Sequence, residues 1–291
     1  MHPFGELSPQ RRLLGEALRV VRSRAGLTGV QLSERLGVSQ SQISRIELGQ
    51  QAASADLVRR WVDVTGVPEE RSAELIEWAE VAGTEAVMLR TARPRGMAQL
   101  QLDSREFEAS AKTILEFDPV LVPGLLQVPE YARRIFAAGK PMHSATEIAA
   151  AVAGRMGRQL VLYEGTTEFE FVITEAALRW WVGPPNVMLA QLDRVTAFAG
   201  LETVTVGVIP LDTEVDIWHE HGFAIFDDRH DDDPAVTIET RTSQVTTIDP
   251  VEVAFYREAF ARLREASLHG SEADELLSRI REGLLRAQSE R

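Results

Sequence analysis

The chain of 291 residues contains no cysteine. Without thiols it can form neither a disulfide framework nor a cysteine-ligated zinc site, which excludes zinc fingers and thiol chemistry. It also has no apolar run near the roughly 20 residues that a membrane-spanning helix needs, and its first residues lack the apolar region of a signal peptide. We therefore expect a cytoplasmic protein that makes no contact with a membrane.

Catalytic signatures are also missing. The sequence has no G-x-S-x-G nucleophile elbow, no P-loop and no dinucleotide-binding fingerprint. The spacing of its residues does not assemble a nucleophile, a base and an oxyanion-stabilising group. We therefore predict that the protein is not an enzyme and needs no cofactor.

Charge is unevenly distributed along the chain. The formal net charge is −13, yet residues 1–66 contain nine arginines and six acidic residues, a net of +3, which leaves −16 for the rest. An acidic domain repels nucleic acid, so any contact with DNA is expected in the first segment. Length and charge asymmetry together predict two domains with separate roles.

Residues 27–49, LTGVQLSERLGVSQSQISRIELG, have the pattern of a helix-turn-helix. Thr28 with Gln31, and Ser39 with Gln42, form two capping-box patterns that mark the starts of two short helices. A glycine lies between the two helices, where a turn is required. The sequence therefore predicts two packed helices, of which the second is the DNA-recognition helix.

In this motif the second helix enters the major groove of DNA. At about 100° per residue, Ile43 and Ile46 share the face that packs. The other face carries the side chains that we predict to contact base edges: Gln40, Ser41, Ser44 and Arg45. An amide suits adenine and a guanidinium suits guanine. Contacts to the DNA backbone are predicted at Thr28, Gly29, Ser39, Gln42 and Gln51, although Gln42 could serve the capping box instead.

Apolar periodicity predicts further helices at about 55–65 and 69–82, so residues 1–83 are predicted to form an all-α helix-turn-helix domain. Residues 84–103 combine arginine, proline and glycine with weak periodicity, which is typical of a linker. Residues 104–291 are predicted to form an α+β domain, in which helices pack on one face of a mostly antiparallel sheet. Its strands are predicted from QLVLYE, EFEFVI, TVTVGVI, FAIFDD, AVTIET and QVTTID, and its helices at about 104–117, 129–138, 145–159, 186–199, 250–268 and 271–288.

The segment 27–49 resembles the DNA-binding module of XRE-type, phage-repressor-like regulators. The resemblance implies a structural ion pair between Arg22 and Glu47. Members of that family usually have glutamine, a basic residue and proline where this sequence has Gly29, Gln50 and Ala53. The first two departures remove phosphate contacts, so dimerisation or a partner is expected to supply part of the affinity.

The resemblance continues beyond the linker. The segments EFEASAKTILEFDPVLVPGLLQVPEYARRIF, ITEAALRWWVG and DPVEVAFYREAFARL follow the order of a DUF5753-like domain, a C-terminal domain of uncharacterised function common in actinobacterial regulators. Similar regulators often have a neighbouring gene for a very small acidic partner protein. The resemblance therefore implies that this domain binds a small acidic protein or a small-molecule ligand.

Two segments of the second domain are candidates for a binding site. A chain break before a helix and a tryptophan pair predict a ligand or partner site formed by Pro123, Gly124, Leu125, Tyr131, Trp180 and Trp181. Core packing is the alternative for Tyr131, and a core or pocket-wall position is the simplest interpretation of the tryptophans. The run WHEHGFAIFDDRHDDD contains three histidines among acidic residues: His219, His221 and His230. A solvated loop is favoured there, and no metal is predicted.

The leading functional hypothesis is a nucleoid-associated transcription regulator that binds a specific sequence of double-stranded DNA. We expect a homodimer on a pseudo-palindromic operator, controlled through its C-terminal domain. The alternative is an antitoxin-like protein that sequesters a partner and uses DNA binding for autoregulation. An enzymatic second domain is a third, less favoured hypothesis.

Overall fold

The N-terminal part of the chain is helical. The structure, a computed structural model, describes residues 9–88, 104, 108, 111–139, 144–217, 220–228, 234–240 and 243–290. Its first helices are α1 (Pro9–Arg24), α2 (Gly29–Leu36), α3 (Gln40–Glu47), α4 (Ala55–Thr65) and α5 (Glu69–Gly83). Their apolar faces enclose one core around Trp61, whose side chain is fully buried. The predicted all-α helix-turn-helix region is confirmed.

Local side chains set the ends of α2 and α3. Thr28 Oγ1 accepts a hydrogen bond from the Gln31 N–H, and the Gln31 side chain accepts one from the Thr28 N–H, which completes the predicted capping box. Gly37, with a positive φ of 69°, ends α2. Ser39 Oγ accepts the Gln42 N–H at the start of α3, but the reciprocal bond is not formed within this described segment. The Gln42 side chain is buried instead, so the second predicted capping box is only half present.

Two glycines allow α1 to lie directly against the end of α3. A Cβ atom on Gly15 would lie 2.3 Å from the backbone oxygen of Ile46, so the two backbones are in contact. Gly49, which follows α3, has a φ of 71°, and a Cβ atom on it would lie 2.8 Å from Arg12 Cα. Only glycine meets both demands at this position. These contacts fix the orientation of α3 within the helical domain.

Among the described residues, a seven-stranded sheet forms the centre of the second part. Its strands are β1 (Thr84–Met88), β2 (Ala111–Asp118), β3 (Glu168–Thr174), β4 (Val204–Ile209), β5 (Phe223–Asp228), β6 (Ala235–Glu239) and β7 (Ser243–Thr247). Their order is β1-β7-β6-β5-β2-β3-β4. The pairs β2–β3 and β3–β4 are parallel, and the other pairs are antiparallel. The predicted mostly antiparallel sheet is confirmed.

Helices cover both faces of this sheet. The helices are α6 (Pro129–Gly139), α7 (Ala145–Arg158), α8 (Glu175–Arg179), α9 (Pro185–Ala199), α10 (Pro250–Glu265) and α11 (Gly270–Ser289). Helices α9 and α11 pack with Phe171 on one face, whereas α10 packs with Phe117 on the other. The prediction of helices on one face only is wrong, because the central strands are apolar on both sides. No helix in the described part of the chain is long and apolar enough to cross a membrane.

Three predictions about local structure are wrong, and in the first two a distant strand pairing overrides the local pattern. Residues 84–88 belong to the predicted linker but form β1, which pairs with β7, while residues 89–103 lie outside the described residues. The predicted helix 104–117 gives way to β2 at Ala111, which lies between β3 and β5. The predicted strand QLVLYE forms a 3₁₀ helix (Gln159–Tyr163) that buries Val161 and Leu162.

Candidate nucleic-acid interface

Helix α3 has one face in the core and one toward solvent. Ile43 and Ile46 are each 1% exposed and pack within the core of the helical domain, as their spacing predicts. The opposite side carries the predicted base-contacting residues: Gln40 and Ser41, which are exposed, and Ser44 and Arg45, which are half-buried. A recognition helix requires this arrangement, in which one face packs in the core and thereby fixes the polar face that contacts DNA.

Two of the predicted base-contacting residues, Ser41 and Arg45, form side-chain hydrogen bonds within the protein itself. Arg45 Nε donates to Gln51 Oε1 at 3.1 Å, so the loop after α3 orients the guanidinium. The hydroxyls of Ser39 and Ser41 lie 2.9 Å apart at the start of α3. Side chains that are already ordered lose less entropy on binding. The structure thus joins predicted base-contacting and backbone-contacting residues into one surface.

The start of α2 lies beside the start of α3. A Cβ atom on Gly29 would lie 3.7 Å from Gln40 Nε2 and 4.0 Å from Ile43 Cγ2, which are ordinary contact distances. Thr28 is exposed next to it, with its hydroxyl and N–H engaged in the capping box. The predicted backbone-contacting residues Thr28 and Gly29 are therefore adjacent to the predicted base-contacting residue Gln40.

The predicted ion pair between Arg22 and Glu47 is present. Arg22 Nε and Nη2 donate to the two carboxylate oxygens of Glu47 at 2.5 and 2.8 Å, and the side chains are only 14% and 10% exposed. Arg22 Nη1 also donates to the backbone oxygen of Leu27 at 2.7 Å. The hydrogen bond to Glu47 raises the pKa of Arg22 above its usual value. The pair joins the end of α1 to the end of α3 and has a structural role.

In the second domain, the candidate segment before α6 is largely buried. Leu125 is 2% exposed and Tyr131 is fully buried, and Pro123 is buried as well. The Val122 N–H donates to Tyr131 Oη at 3.3 Å, so the tyrosine holds the preceding loop. Burial raises the pKa of Tyr131 to about 12. Core packing, the alternative interpretation of Tyr131, describes its position in this structure.

The tryptophan pair is exposed. Trp180 is 65% exposed and Trp181 is 40% exposed, so the expected core position is wrong. The adjacent Leu178 is buried, which shows that the end of α8 anchors the segment while the indoles extend outward. The tryptophans are thus at the surface, whereas Tyr131 is in the core.

The histidine-rich segment is only partly covered by the structure. His221 is exposed and its ring centroid lies 6.1 Å from that of Tyr256. His219 and His230 lie outside the described residues. Within the described ranges, no group of three His, Cys, Asp or Glu residues is placed to hold a metal ion.

One polar site was missed by sequence reasoning. A cavity of about 190 Å³ lies on the sheet of the second domain and is lined by acidic side chains of β2 and β6 together with Arg158 and Glu108. The sequence pattern that could have indicated this cavity is the strand AKTILEFD, in which Glu116 and Asp118 alternate with apolar residues. Acidic residues on the inward side of a buried strand indicate a polar cavity.

Two family matches divide the chain. Residues 13–75 match the family described as helix-turn-helix domain, and residues 101–279 match the family described as domain of unknown function, DUF5753. The search of curated proteins found no match.

Among solved structures, the clp gene regulator ClgR from C. glutamicum is 27% identical over 27% of this chain and 96% of that chain, with a TM-score of 0.22. TrmBL2, an archaeal chromatin protein whose structure shows a novel mode of DNA binding, is 13% identical over 90% of this chain and 100% of that chain, with a TM-score of 0.33. At these TM-scores, neither likeness extends to the whole fold.

Proposed function

Since the chain belongs to the DUF5753 family and carries a helix-turn-helix domain ahead of the family's domain, we propose that it is a sequence-specific DNA-binding transcription regulator. The observation that carries the proposal is the polar face of α3, which presents Gln40 and Ser41 to solvent while the core fixes the other face. In the major groove, such a face distinguishes bases by hydrogen bonding. Residues 1–83 would bind DNA, and residues 104–291 would receive the controlling signal.

The proposal includes a homodimer in the nucleoid. Gly29 and Gln50 stand where phosphate-contacting side chains are usual in similar regulators, so a single domain lacks two of the usual phosphate contacts. Because phosphate contacts supply much of the affinity for DNA, two linked domains compensate for weak single ones. Two recognition helices about 34 Å apart would contact two half-sites one helical turn apart.

Selection from a random duplex library tests the proposal. The full chain is expected to enrich a pseudo-palindrome whose half-sites are separated by about 10 base pairs. Gln40→Ala and Arg45→Ala are each expected to weaken binding to the enriched duplex by about 1–3 kcal/mol, with non-specific binding unchanged. Arg279→Ala, an exposed arginine on α11, is the control. Failure to enrich any sequence at low salt would contradict the proposal.

A second candidate function is partner binding by the second domain, as in an antitoxin-like protein. It is supported by exposed apolar residues that follow the ends of the parallel strands β2, β3 and β4: Val120, Trp180, Trp181 and Leu211. These segments adjoin, since Thr174 Oγ1 donates to the Pro119 oxygen and the Leu211 N–H donates to Glu175. Exposed apolar patches are typical of protein-binding surfaces.

If this second function is correct, a small protein is expected to co-purify in stoichiometric amount with the native chain and to be lost with Trp180→Ser. Because Trp180 is 65% exposed, its replacement is expected to leave the fold intact, which circular dichroism would check. Equal recovery of the small protein with both chains would exclude this patch as its binding surface.

A further inference from the structure

Helix α1 has apolar side chains on two sides. Leu14 and Leu18 are buried in the core of the helical domain. Leu13 and Val20 lie on another side of the helix, two turns apart, and are 57% and 48% exposed. A helix that packs on one side only normally has polar residues on its outer side. The fold of one chain therefore does not account for this second apolar stripe.

The second stripe forms one wall of a groove of about 600 Å³, the α1 groove. Residues 65–68, in the turn after α4, and Trp78 on α5 form the other wall. The Arg71 guanidinium lies 5.1 Å from the centre of the Trp78 ring. Arg71 Nη1 also donates to Glu74 at 2.5 Å, so its charge is balanced within the chain. The walls of the groove are therefore mainly apolar.

Two opposite charges flank the apolar stripe. Glu16 and Arg24 are exposed in the α1 groove, four residues before and four residues after Val20. Neither side chain forms an ion pair with another residue in the described ranges. Because the two signs balance, the groove does not have the excess of positive charge with which proteins bind nucleic-acid phosphates. The expected occupant is therefore neutral or carries both signs of charge.

The pattern of α1 is complementary to itself. A two-fold axis that brings the Val20 side chains of two antiparallel α1 helices together places Glu16 of each copy level with Arg24 of the other, since both are four residues from Val20. Each unpaired charge thereby gains a partner of opposite sign. Leu13 would lie near Ala25 of the second copy, where a small side chain leaves room. A two-fold interface requires this kind of self-complementarity.

A compact small molecule fits the α1 groove less well than a helix does. Ligand pockets usually bury most of the surface of their ligand. Leu13 and Val20 line this groove and are about half exposed, so the groove is open and shallow. A helix laid along the groove covers both side chains at once. The apolar stripe and its flanking charges therefore favour a helix as the occupant.

We propose that the α1 groove binds the α1 groove of a second copy of this chain, through antiparallel α1 helices that meet at Val20. This contact is the surface of the homodimer in the proposed function, and its role in DNA binding rests on that function. The exposure of Leu13 and Val20 in the single chain is then explained, because both side chains become buried in the dimer.

The contact leaves α3 free for DNA. Gly15 and Arg22, which contact the end of α3, lie about 140–160° around α1 from Val20. The second copy therefore packs on nearly the opposite side of α1 from α3. Because the axes of packed helices are about 8–10 Å apart, the two α3 helices would be separated by roughly 25–30 Å. This is similar to the ~34 Å between half-sites one helical turn apart.

Disulfide cross-linking of the full chain tests the position of the contact. The chain contains no cysteine, so one introduced thiol reports on one position. Facing Cα atoms of two packed antiparallel helices are roughly 5 Å apart, within the reach of a disulfide. Oxidised Val20→Cys is expected to give at least about fivefold more linked dimer than Arg19→Cys, an exposed neighbour turned about 100° away. Equal yields from the two variants would overturn the proposal.

Sedimentation velocity tests the charge pairs. The native chain is expected to be a dimer at micromolar concentration. Glu16→Arg and Arg24→Glu are each expected to raise the Kd of the dimer at least about tenfold, because each places like charges level across the contact. The double variant Glu16→Arg/Arg24→Glu is expected to recover the native Kd to within about threefold. Val251→Glu, which changes a 79% exposed valine on α10, is the control and is expected to dimerise normally.

A native chain that is monomeric at every concentration would overturn the proposal, as would a double variant no tighter than the single variants. Dissociation by Val251→Glu but not by Glu16→Arg would assign the interface to α10 and overturn it too. A small molecule that co-purifies with a monomeric native chain and is lost in Val20→Glu would assign the groove to a ligand instead. Circular dichroism checks that each variant is folded, as expected for changes at exposed positions.

Binding to the enriched duplex separates this contact from the proposed function. Glu16→Arg is expected to bind that duplex at least about tenfold more weakly than the native chain, with the double variant restored, although α3 is unchanged. If a pseudo-palindrome is enriched but the charge variants dimerise as the native chain does, the α1 contact fails and the regulator function stands. If no DNA is enriched, the proposed function fails, yet the cross-linking and sedimentation experiments still decide the contact.

Discussion

Replacing Arg22 by methionine is expected to destabilise the helical domain by about 3–5 kcal/mol, because it leaves the nearly buried carboxylate of Glu47 without its partner. The methionine keeps most of the apolar volume, so the loss reports on charge rather than packing. Arg22 also donates to the backbone oxygen of Leu27, which would lose this bond. We expect faster hydrogen exchange in α1 and α3, measured by mass spectrometry, while the second domain exchanges normally.

Arg19→Met is the matched control, because Arg19 is exposed on the same helix. It is expected to change stability by less than about 0.5 kcal/mol. The double variant Arg22→Met/Glu47→Met is expected to recover most of the loss, since no charge remains buried. A single Arg22→Met variant as stable as the control would show that the ion pair does not hold α1 to α3.

Replacing Glu116 by glutamine is expected to raise the free energy of unfolding at pH 8 by up to about 3 kcal/mol, because the folded protein no longer has to ionise a half-buried carboxyl with a raised pKa. Its pKa is raised from 4.5 to about 7 in the folded protein, chiefly by burial. A raised pKa stabilises the folded state below about pH 4.5, and that contribution is lost as pH rises to about 7. The advantage of Glu116→Gln is therefore expected to be small below pH 4.5 and to grow through this range.

Urea denaturation at a series of pH values, followed by circular dichroism, measures this difference. Glu282→Gln is expected to show no such pH dependence, because that carboxylate is exposed. A constant difference between Glu116→Gln and the native chain at all pH values would mean that Glu116 keeps its usual pKa. The side chains that line the cavity would then not disfavour ionisation of Glu116.

The helix-turn-helix could be predicted because its signals are local. Thr28 and Ser39 cap the helices that follow them, and Ile43 and Ile46 lie one turn apart on the packed face. The Arg22–Glu47 pair was implied by resemblance and not by spacing, since its members lie on different helices. No local sequence pattern predicts the close contact between Gly15 and the backbone of Ile46.

The second domain was less predictable because its structure depends on distant pairing. β1 forms only because β7 is available as a partner, and β2 is a strand because it lies between β3 and β5. The cavity requires β2 and β6 to be brought near each other by β5. Trp180 was expected in the core or in a pocket wall, yet it is 65% exposed just after the end of α8.

Dimethyl sulfate footprinting on a selected duplex tests most directly that α3 contacts bases in the major groove. The reagent methylates guanine N7, which is exposed in that groove and is the acceptor that arginine prefers. The native chain is expected to protect guanine in each half-site, and Arg45→Ala is expected to lose protection at one position while keeping the rest. The same protection pattern in Arg45→Ala, in Gln40→Ala and in the native chain would contradict the assignment of α3 as the recognition helix.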